Sequence, residues 1–291
     1  MIPYAELHCH SNFSFLDGAA HPEAIVERAI ELGLAAVALT DHDGLYGAVR
    51  FTQAGRTAGL RAITGAEMTL EGGAHLTLLA RSEQGYGNLC RLISRAQMDH
   101  AKGKAELAWD VLARHAGGLI ALSGCPRGEI PQALTRNDEA AALQIVARYR
   151  ELFGPDGFWL ELHNHLLKEE GYRNLALVGL AQRAGLGYVA TNNVHYLRKA
   201  GGKLHDVVVC IKRRTSLDRA GLLLRPNAEF YLKSGGEMAA LFADYPEAVE
   251  QTLAVAELCQ FDLTAMTYPL PQFDLPPGET SFSYLYQLVQ Q

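Results

Sequence analysis

The 291-residue sequence has few cysteines, no long apolar run and no excess of positive charge. Its five cysteines are odd in number and widely scattered, which excludes a disulfide framework and is typical of the reducing cytoplasm. Because no run of about 18 apolar residues is present, no membrane-spanning helix is predicted. Residues 1–6 contain neither the basic nor the apolar segment of a secretory signal peptide, so none is expected.

The net charge of −6 argues against bulk electrostatic attraction to nucleic acid, but it is compatible with a local basic groove. The densest basic stretch is Lys212-Arg-Arg214 together with Arg219 and Arg225. This stretch is equally compatible with a solvated helix end and with a phosphate contact.

Strand-like and helical segments alternate through the first two hundred residues. The strand-like runs are residues 4–9, 35–40, 61–68, 75–80, 119–123, 158–162 and 188–191. Helical patterns lie between most of them, as at residues 22–32, 137–153 and 169–184. Such alternation predicts an α/β fold with a largely parallel sheet.

The positions of the polar residues favour a closed barrel over an open sheet. Residues at or just past the C-terminal ends of the predicted strands are His10, His42, Glu67, Cys125, His165 and His195. In a barrel these strand ends share one rim, where such folds build their active sites. In an open sheet, the outer strands would hold the same residues too far apart to cooperate. We therefore expect a seven-stranded, TIM-like barrel.

Two features interrupt the alternation. Residues 67–75 are too few for a helical crossover and contain Gly72-Gly73, which is typical of a tight turn. A reversal there would start a strand at His75 beside the end of the strand that finishes at Glu67. After residue 198, helical patterns at 203–213, 236–243 and 246–259 have little strand between them.

A Pro-rich segment at residues 268–278 follows, and residues 283–289 have the pattern of the start of another helix. The predicted organisation is a barrel with a metal centre over residues 1–200 and a small helical extension packed on it over 201–267. Residues 268–291 are expected to be a linker and the start of a following region, as in an N-terminal piece of a longer protein.

The predicted rim carries enough donors for more than one metal ion. In a strand, residues i and i+2 share a face, so His8 and His10 can converge on one point. The complete donor set comprises His8, His10, Asp17, His42, Glu67, His75, Cys125 and His195. A catalytic zinc takes three protein ligands, so this set implies two or three divalent ions, with Glu67 suited to bridging them. Mixed nitrogen, oxygen and sulfur donors suit zinc best, with manganese or iron as alternatives.

The donors lie in short motifs that together resemble a known family. The motifs are Tyr4-Ala-Glu-Leu-His-Cys-His-Ser-Asn-Phe-Ser-Phe-Leu-Asp-Gly18, Leu39-Thr-Asp-His-Asp-Gly-Leu-Tyr-Gly47, Gly65-Ala-Glu67, His75-Leu-Thr77, Gly124-Cys-Pro126 and Ala190-Thr-Asn-Asn-Val-His-Tyr196. They resemble the PHP domain (polymerase and histidinol phosphatase), and more narrowly the one at the N-terminus of bacterial C-family DNA polymerases, the polymerase III alpha subunits. The first two motifs are most similar to the error-prone alpha subunits used in damage-induced synthesis. The resemblance spans the whole chain.

This resemblance implies a distorted seven-stranded barrel with a trinuclear metal centre of nine ligands. Eight of the ligands match the donor set above, and the ninth is Asn193, where the family pattern has an aspartate. Because an amide is a neutral and weaker donor, the ion it contacts would lose one negative ligand. Active family members remove nucleotides 3′→5′ from DNA in a metal-dependent reaction.

For this reaction we assign catalytic roles to Glu67, His42 and His195, with either histidine able to assist proton transfer to the leaving oxygen. Arg127 and Arg198, each just past a strand end, are candidates for binding the non-bridging phosphate oxygens. His165 matches no ligand position, and we assign it a substrate-binding or supporting role, with a solvated histidine as the alternative.

Three functions are compatible with these residues. The first is a 3′→5′ exonuclease-type phosphoesterase domain of a DNA-directed DNA polymerase, with primer 3′ ends, the rest of the polymerase chain, and replication or repair proteins as partners. The second is a catalytically impaired structural and docking domain whose metals stabilise the fold, which Asn193 favours. The third is a free-standing phosphatase like histidinol phosphatase, which the polymerase-type motifs and the unfinished C-terminal helix disfavour. A cytoplasmic location is expected, and no contact with a membrane.

Overall fold

A curled seven-stranded sheet forms the centre of the molecule. The computed structural model describes residues 2–267 and 273–290. The strands are β1 (Ala5–Cys9), β2 (Ala36–Leu39), β3 (Arg61–Thr69), β4 (His75–Ala80), β5 (Leu119–Leu122), β6 (Phe158–Leu162) and β7 (Tyr188–Ala190). They are hydrogen-bonded in sequence order from β1 to β7. All seven predicted strands are confirmed, because no predicted strand end differs from the observed one by more than one residue.

The sheet closes on itself at the rim formed by the C-terminal ends of its parallel strands. β1, β2 and β3 are parallel, as are β5, β6 and β7. Beyond β7, Val194 forms an isolated parallel bridge with Cys9 of β1. The Val194 N–H donates to the carbonyl of His8 at 2.9 Å, and the His10 N–H donates to the carbonyl of Val194 at 2.8 Å. The predicted distorted, TIM-like α/β barrel is therefore confirmed.

One strand runs against the others, as the turn signal predicted. β4 is antiparallel to both β3 and β5. The connection from β3 contains Gly72 and Gly73, whose φ values of 85° and 80° lie in the left-handed region that favours glycine. Thr69 pairs with His75, so β4 starts at the rim where β3 ends. This reversal brings His75 to the rim from the first position of its strand.

Helices surround the sheet. In the part of the chain that the structure describes, they are α1 (Pro22–Leu32), α2 (Ala48–Ala58), α3 (Glu83–Met98), α4 (Trp109–Arg114), α5 (Glu129–Thr135), α6 (Glu139–Phe153), α7 (Lys168–Ala184), α8 (Gly202–Arg213), α9 (Leu217–Ala220), α10 (Gly235–Leu241), α11 (Pro246–Leu258) and α12 (Ser281–Gln290). None of these described helices is long and apolar enough to cross a membrane. The predicted Pro-rich segment lies partly outside the described residues, and its described part, residues 273–280, forms neither helix nor strand.

Helix α11 covers the end of the barrel opposite the rim. Its residues Val255 and Ala256 pack with the apolar side chains that fill the barrel. The Ala5 N–H, at the start of β1, donates to Thr252 Oγ1 at 3.2 Å. The predicted helical extension thus packs on the barrel in its α11 part, while the predicted boundaries at residues 200 and 267 stay predictions. Because apolar residues fill this end of the barrel, the polar side chains that could form a site lie at the rim.

Candidate metal centre

Buried polar contacts between two rim loops hold the first ligand candidates in place. Asp41, just after β2, accepts a hydrogen bond from Ser14 Oγ at 2.7 Å. Ser14 Oγ in turn accepts from the His42 backbone N–H at 3.1 Å. Asp43 instead accepts from the backbone N–H and the hydroxyl of Thr69, at 2.7 and 2.8 Å. In the run Asp41-His42-Asp43, the two carboxylates therefore hold the loops together. The His42 side chain between them is free to face the centre.

Glu67 lies at the middle of four imidazoles. Its Oε2 is 3.0 Å from His42 Nδ1 and 3.7 Å from His10 Nε2. Its Oε1 is 3.1 Å from His75 Nδ1 and 3.5 Å from His8 Nε2. Each carboxylate oxygen thus faces two ring nitrogens, which is the arrangement expected of a carboxylate that bridges two metal ions. His8 and His10 converge on this carboxylate, as their spacing predicted.

A second cluster surrounds Asp17. Its Oδ1 is 3.2 Å from His195 Nδ1 and 3.9 Å from His205 Nε2. His42 joins the two clusters, because its Nε2 lies 3.6 Å from Asp17 Oδ2 while its Nδ1 faces the other carboxylate. The His10 ring stacks between those of His42 and His195, with centroid distances of 4.5 and 4.6 Å. The rim therefore contains two adjoining donor clusters.

The two remaining predicted ligands each contact a histidine of these clusters. Cys125 Sγ lies 3.4 Å from His75 Nδ1, and its side chain is 6% exposed. Asn193 Oδ1 lies 3.0 Å from His195 Nε2. The structure therefore brings together every residue that the sequence predicted as a ligand.

The centre contains buried polar atoms that the protein leaves without hydrogen bonds. In the described residues they include His8 Nε2, His10 Nε2, Glu67 Oε1, His195 Nδ1 and His205 Nε2. An unsatisfied buried polar group costs about 1–3 kcal/mol, so a fold that concentrates several of them needs a further partner. Among the residues that the structure describes, four groups have donor atoms within 4.8 Å of one another: His8, His10 and Glu67; His42, Glu67 and His75; Asp17, His195 and His205; and His8, Glu161 and His163. These residues fit divalent metal ions.

The electrostatics of two histidines and of the central carboxylate suit the binding of cations. Burial lowers the pKa of His10 well below its usual value, and burial together with Arg225 lowers the pKa of His195 to about 3. Both rings are thus neutral, with lone pairs available to a metal. Burial opposes ionisation of Glu67, but the surrounding imidazoles, foremost His42, hold its pKa well below the usual range. The carboxylate at the middle of the centre is therefore charged.

Three contributors were not predicted from the sequence. Glu161 Oε1 lies 2.7 Å from His8 Nδ1 and 3.2 Å from His163 Nε2. Because it accepts the Nδ1 proton, Glu161 leaves His8 Nε2 to face the centre. The alternation Glu161-Leu-His163 at the end of β6 repeats the spacing of His8 and His10 at the end of β1 and could have identified both residues. His205 lies on α8, and no motif marks it.

The three residues predicted to contact substrate all have protein partners in the structure, and their substrate role stays a prediction. Arg198 is exposed and pairs with Glu31 of α1 at 2.7 Å, and Arg127 donates to the carbonyl of Gly73 at 3.2 Å. His165 is 1% exposed, with its Nδ1 2.6 Å from Glu170 and its Nε2 2.9 Å from the carbonyl of Asn192. Both ring nitrogens of His165 thus contact protein groups, which favours the predicted supporting role over substrate contact or a solvated histidine.

The sequence between β1 and the start of α7 matches a family model described as PHP domain, over residues 6–165. The chain belongs to the PHP domain family. This PHP domain is 44% identical over 302 residues to the error-prone DNA polymerase of Mycobacterium bovis, covering 99% of this chain and 28% of that protein. It is 37% identical over 311 residues to the DNA polymerase III subunit alpha of Thermus aquaticus, covering 99% of this chain and 25% of that protein.

The PHP domain therefore spans about a quarter of the length of the curated relatives it matches. Among solved structures, it resembles an amidohydrolase from Chromobacterium violaceum with a TM-score of 0.44 and 16% identity. That likeness covers 66% of this chain and 87% of the other.

Proposed function

We propose that this PHP domain is a metal-dependent phosphoesterase of the 3′→5′ exonuclease type within a polymerase III alpha-type DNA polymerase. The observation that carries the proposal is the pair of donor clusters around Glu67 and Asp17, which share His42. Adjoining clusters of this kind suit ions that clamp both sides of a phosphodiester. The named polymerases that match 99% of the chain support the polymerase setting over a free-standing phosphatase.

The partners follow from that setting. The substrate would be the 3′ end of a DNA primer, and the rest of the polymerase chain would present it. Replication or repair proteins would be further partners, in the cytoplasm. The domain would hydrolyse the same phosphodiester bonds whether the polymerase acts in replication or in damage-induced synthesis.

The ligands would be the predicted set, with the ninth position at Asn193. The donor chemistry favours zinc, with manganese or iron as alternatives. Two or three such ions, when bound, activate water and neutralise charge on the phosphate. The chain itself places the donors: ring nitrogens of four histidines lie within 3.7 Å of the Glu67 carboxylate, and Glu161 contacts His8 Nδ1 at 2.7 Å. For proton transfer to the leaving oxygen, exposure favours His42 over His195, because their side chains are 23% and 3% exposed.

A structural and docking domain is the second candidate, and Asn193 favours it. Its amide contacts His195 without adding negative charge. In that case the metals would stabilise the barrel while polymerisation takes place elsewhere in the longer chain.

The test is nucleotide removal from a 3′-mismatched primer by the purified chain, with manganese or zinc. His10→Ala removes a donor of the Glu67 cluster, and His115→Ala removes a histidine outside the clusters. We expect metal-dependent removal by the wild type and by His115→Ala, with a loss of at least about a hundredfold in His10→Ala. Equal activity in all three proteins would contradict the exonuclease proposal. Less than one metal ion per chain in elemental analysis would contradict the metal centre itself.

A further inference from the structure

Two cations from different elements meet at the Asp17 side of the metal centre. Lys212, in the last turn of α8, places Nζ 2.8 Å from Asp17 Oδ2. Arg225, in the segment after the short 3₁₀ helix Gly221–Leu223, places Nη2 4.0 Å from Asp17 Oδ1. Both belong to the basic stretch that the sequence left open between a solvated helix end and a phosphate contact. The structure brings these two members of the stretch to the centre.

The charges at this edge do not balance. In the described part of the chain, Asp17 is the one carboxylate within 4.0 Å of either cation. The same carboxylate faces His195 and His205 as a candidate metal ligand. When Asp17 binds a metal, both cations lose their counter-charge. An anion at this edge would restore it.

Arg225 is held in position to receive such an anion. Its guanidinium lies 4.0 Å over the Phe230 ring, and its buried Nε has no hydrogen-bond partner. A planar guanidinium can donate two parallel hydrogen bonds to a phosphate, whereas a lysine ammonium acts as a point charge. The side chain of Lys212 is 41% exposed, so it can turn from Asp17 to a ligand arriving from solvent.

We propose that Lys212 and Arg225 bind the non-bridging oxygens of the phosphodiester that the metal centre hydrolyses. They take the role that the sequence assigned to Arg127 and Arg198, whose side chains are engaged elsewhere on the surface. In this arrangement Asp17 contacts a metal ion and the two cations contact the phosphate. The inference rests on the proposed phosphoesterase function and deepens it.

The test compares Lys212→Met and Arg225→Gln with Arg213→Met in the metal-loaded chain. Arg213 is the exposed neighbour of Lys212 in sequence, so its substitution removes the same charge beside the site. Binding of inorganic phosphate is measured by calorimetry, turnover with bis(p-nitrophenyl) phosphate, and metal content by elemental analysis. We expect about tenfold or greater losses in phosphate affinity and similar increases in KM for the first two variants. Metal content should not change, and Arg213→Met should stay within about twofold of the wild type.

Arg225→Lys serves as a second variant. It keeps a positive charge over the Phe230 ring, so it should lose less phosphate affinity than Arg225→Gln. Phosphate affinity and KM equal to those of Arg213→Met would overturn the inference, and so would loss of metal from Lys212→Met and Arg225→Gln. The phosphate arm is independent of turnover. A wild type that binds phosphate through these residues but hydrolyses no phosphodiester would contradict the proposed function and leave only the phosphate-binding part of this inference standing.

Discussion

Asn193 is the one predicted ligand that departs from the family pattern, which has an aspartate at this position. Its surroundings explain how the centre accommodates an amide. Its φ of 42° lies in the left-handed region, which asparagine and aspartate tolerate better than most residues. Its Oδ1 accepts from His195 Nε2, so His195 Nδ1 is left facing Asp17. The amide can therefore orient the histidine as a carboxylate would. What it does not supply is negative charge.

Restoring the acid should strengthen metal binding. We expect Asn193→Asp to raise zinc affinity about tenfold, because a charged oxygen replaces a neutral one without backbone strain. Competition with a coloured chelator measures this, and Asn193→Ala provides the opposite change. A parallel gain in nuclease rate would support an impaired natural site. An unchanged zinc affinity would show that residue 193 contacts no ion.

Substitution of Glu161 tests whether a carboxylate that orients a ligand histidine contributes to metal binding. Glu161→Gln should weaken zinc binding by about 10–100-fold, because His8 loses the carboxylate that fixes its Nδ1 proton. Glu170→Gln is the matched control, since Glu170 makes the same contact with His165, 2.6 Å long, away from the donor clusters. Equal zinc affinity in the two variants would contradict the orienting role.

Single residues also show where sequence reasoning succeeded. Most of the predicted donors lie at or near a strand end, and all of them, including Asp17 in the loop before α1, lie in motifs of the family that the sequence resembles. Glu161, inside β6, and His205, on α8, were missed because neither lies in one of those motifs. Only the folded chain shows that these positions face the same centre. The same limit applies to Arg198, whose partner Glu31 is distant in sequence.

At the scale of elements, the reversal between β3 and β4 is what delivers His75 to the centre. Gly72 adopts a φ of 85°, and a Cβ there would meet no atom within 4 Å. Gly72→Ala should therefore cost about 1 kcal/mol of unfolding free energy, from backbone strain alone. Urea denaturation measures it, with the exposed neighbour Glu71→Ala as control. Equal stability of both variants would show that the turn relaxes without cost.

Strands were easier to predict from the sequence than some helices, for a physical reason. Each strand is a short buried apolar run, whereas α2 and α3 contain glycines that weaken the helical pattern. Those glycines serve packing: a Cβ on Gly85 would lie 1.8 Å from the carbonyl oxygen of Gly118, and one on Gly55 would lie 2.7 Å from Ala62 Cβ. Close approach between a helix and the sheet thus required residues that disfavour helix.

For the whole molecule, net charge does not describe the local charge at the rim. A total of −6 argues against bulk attraction to nucleic acid, whereas Lys212 and Arg225 both face one carboxylate at the rim. The two ends of the barrel differ: α11 covers one end with apolar side chains, and the donor clusters lie at the other. Stability and metal binding are consequently coupled through the strands that join the two ends.

Metal removal should therefore destabilise the entire domain. A metal at about a thousand times its dissociation constant stabilises the folded state by about 4 kcal/mol. For a chain of this size, that corresponds to a fall in Tm of about 10 °C after chelation. Scanning calorimetry of the zinc-loaded and EDTA-treated chain measures the difference. His10→Ala, which lacks one donor of the Glu67 cluster, should show a smaller difference. An unchanged Tm, with elemental analysis showing that EDTA had removed the metal, would mean that the clusters bind ions without supporting the fold, and would leave chemistry as their remaining role.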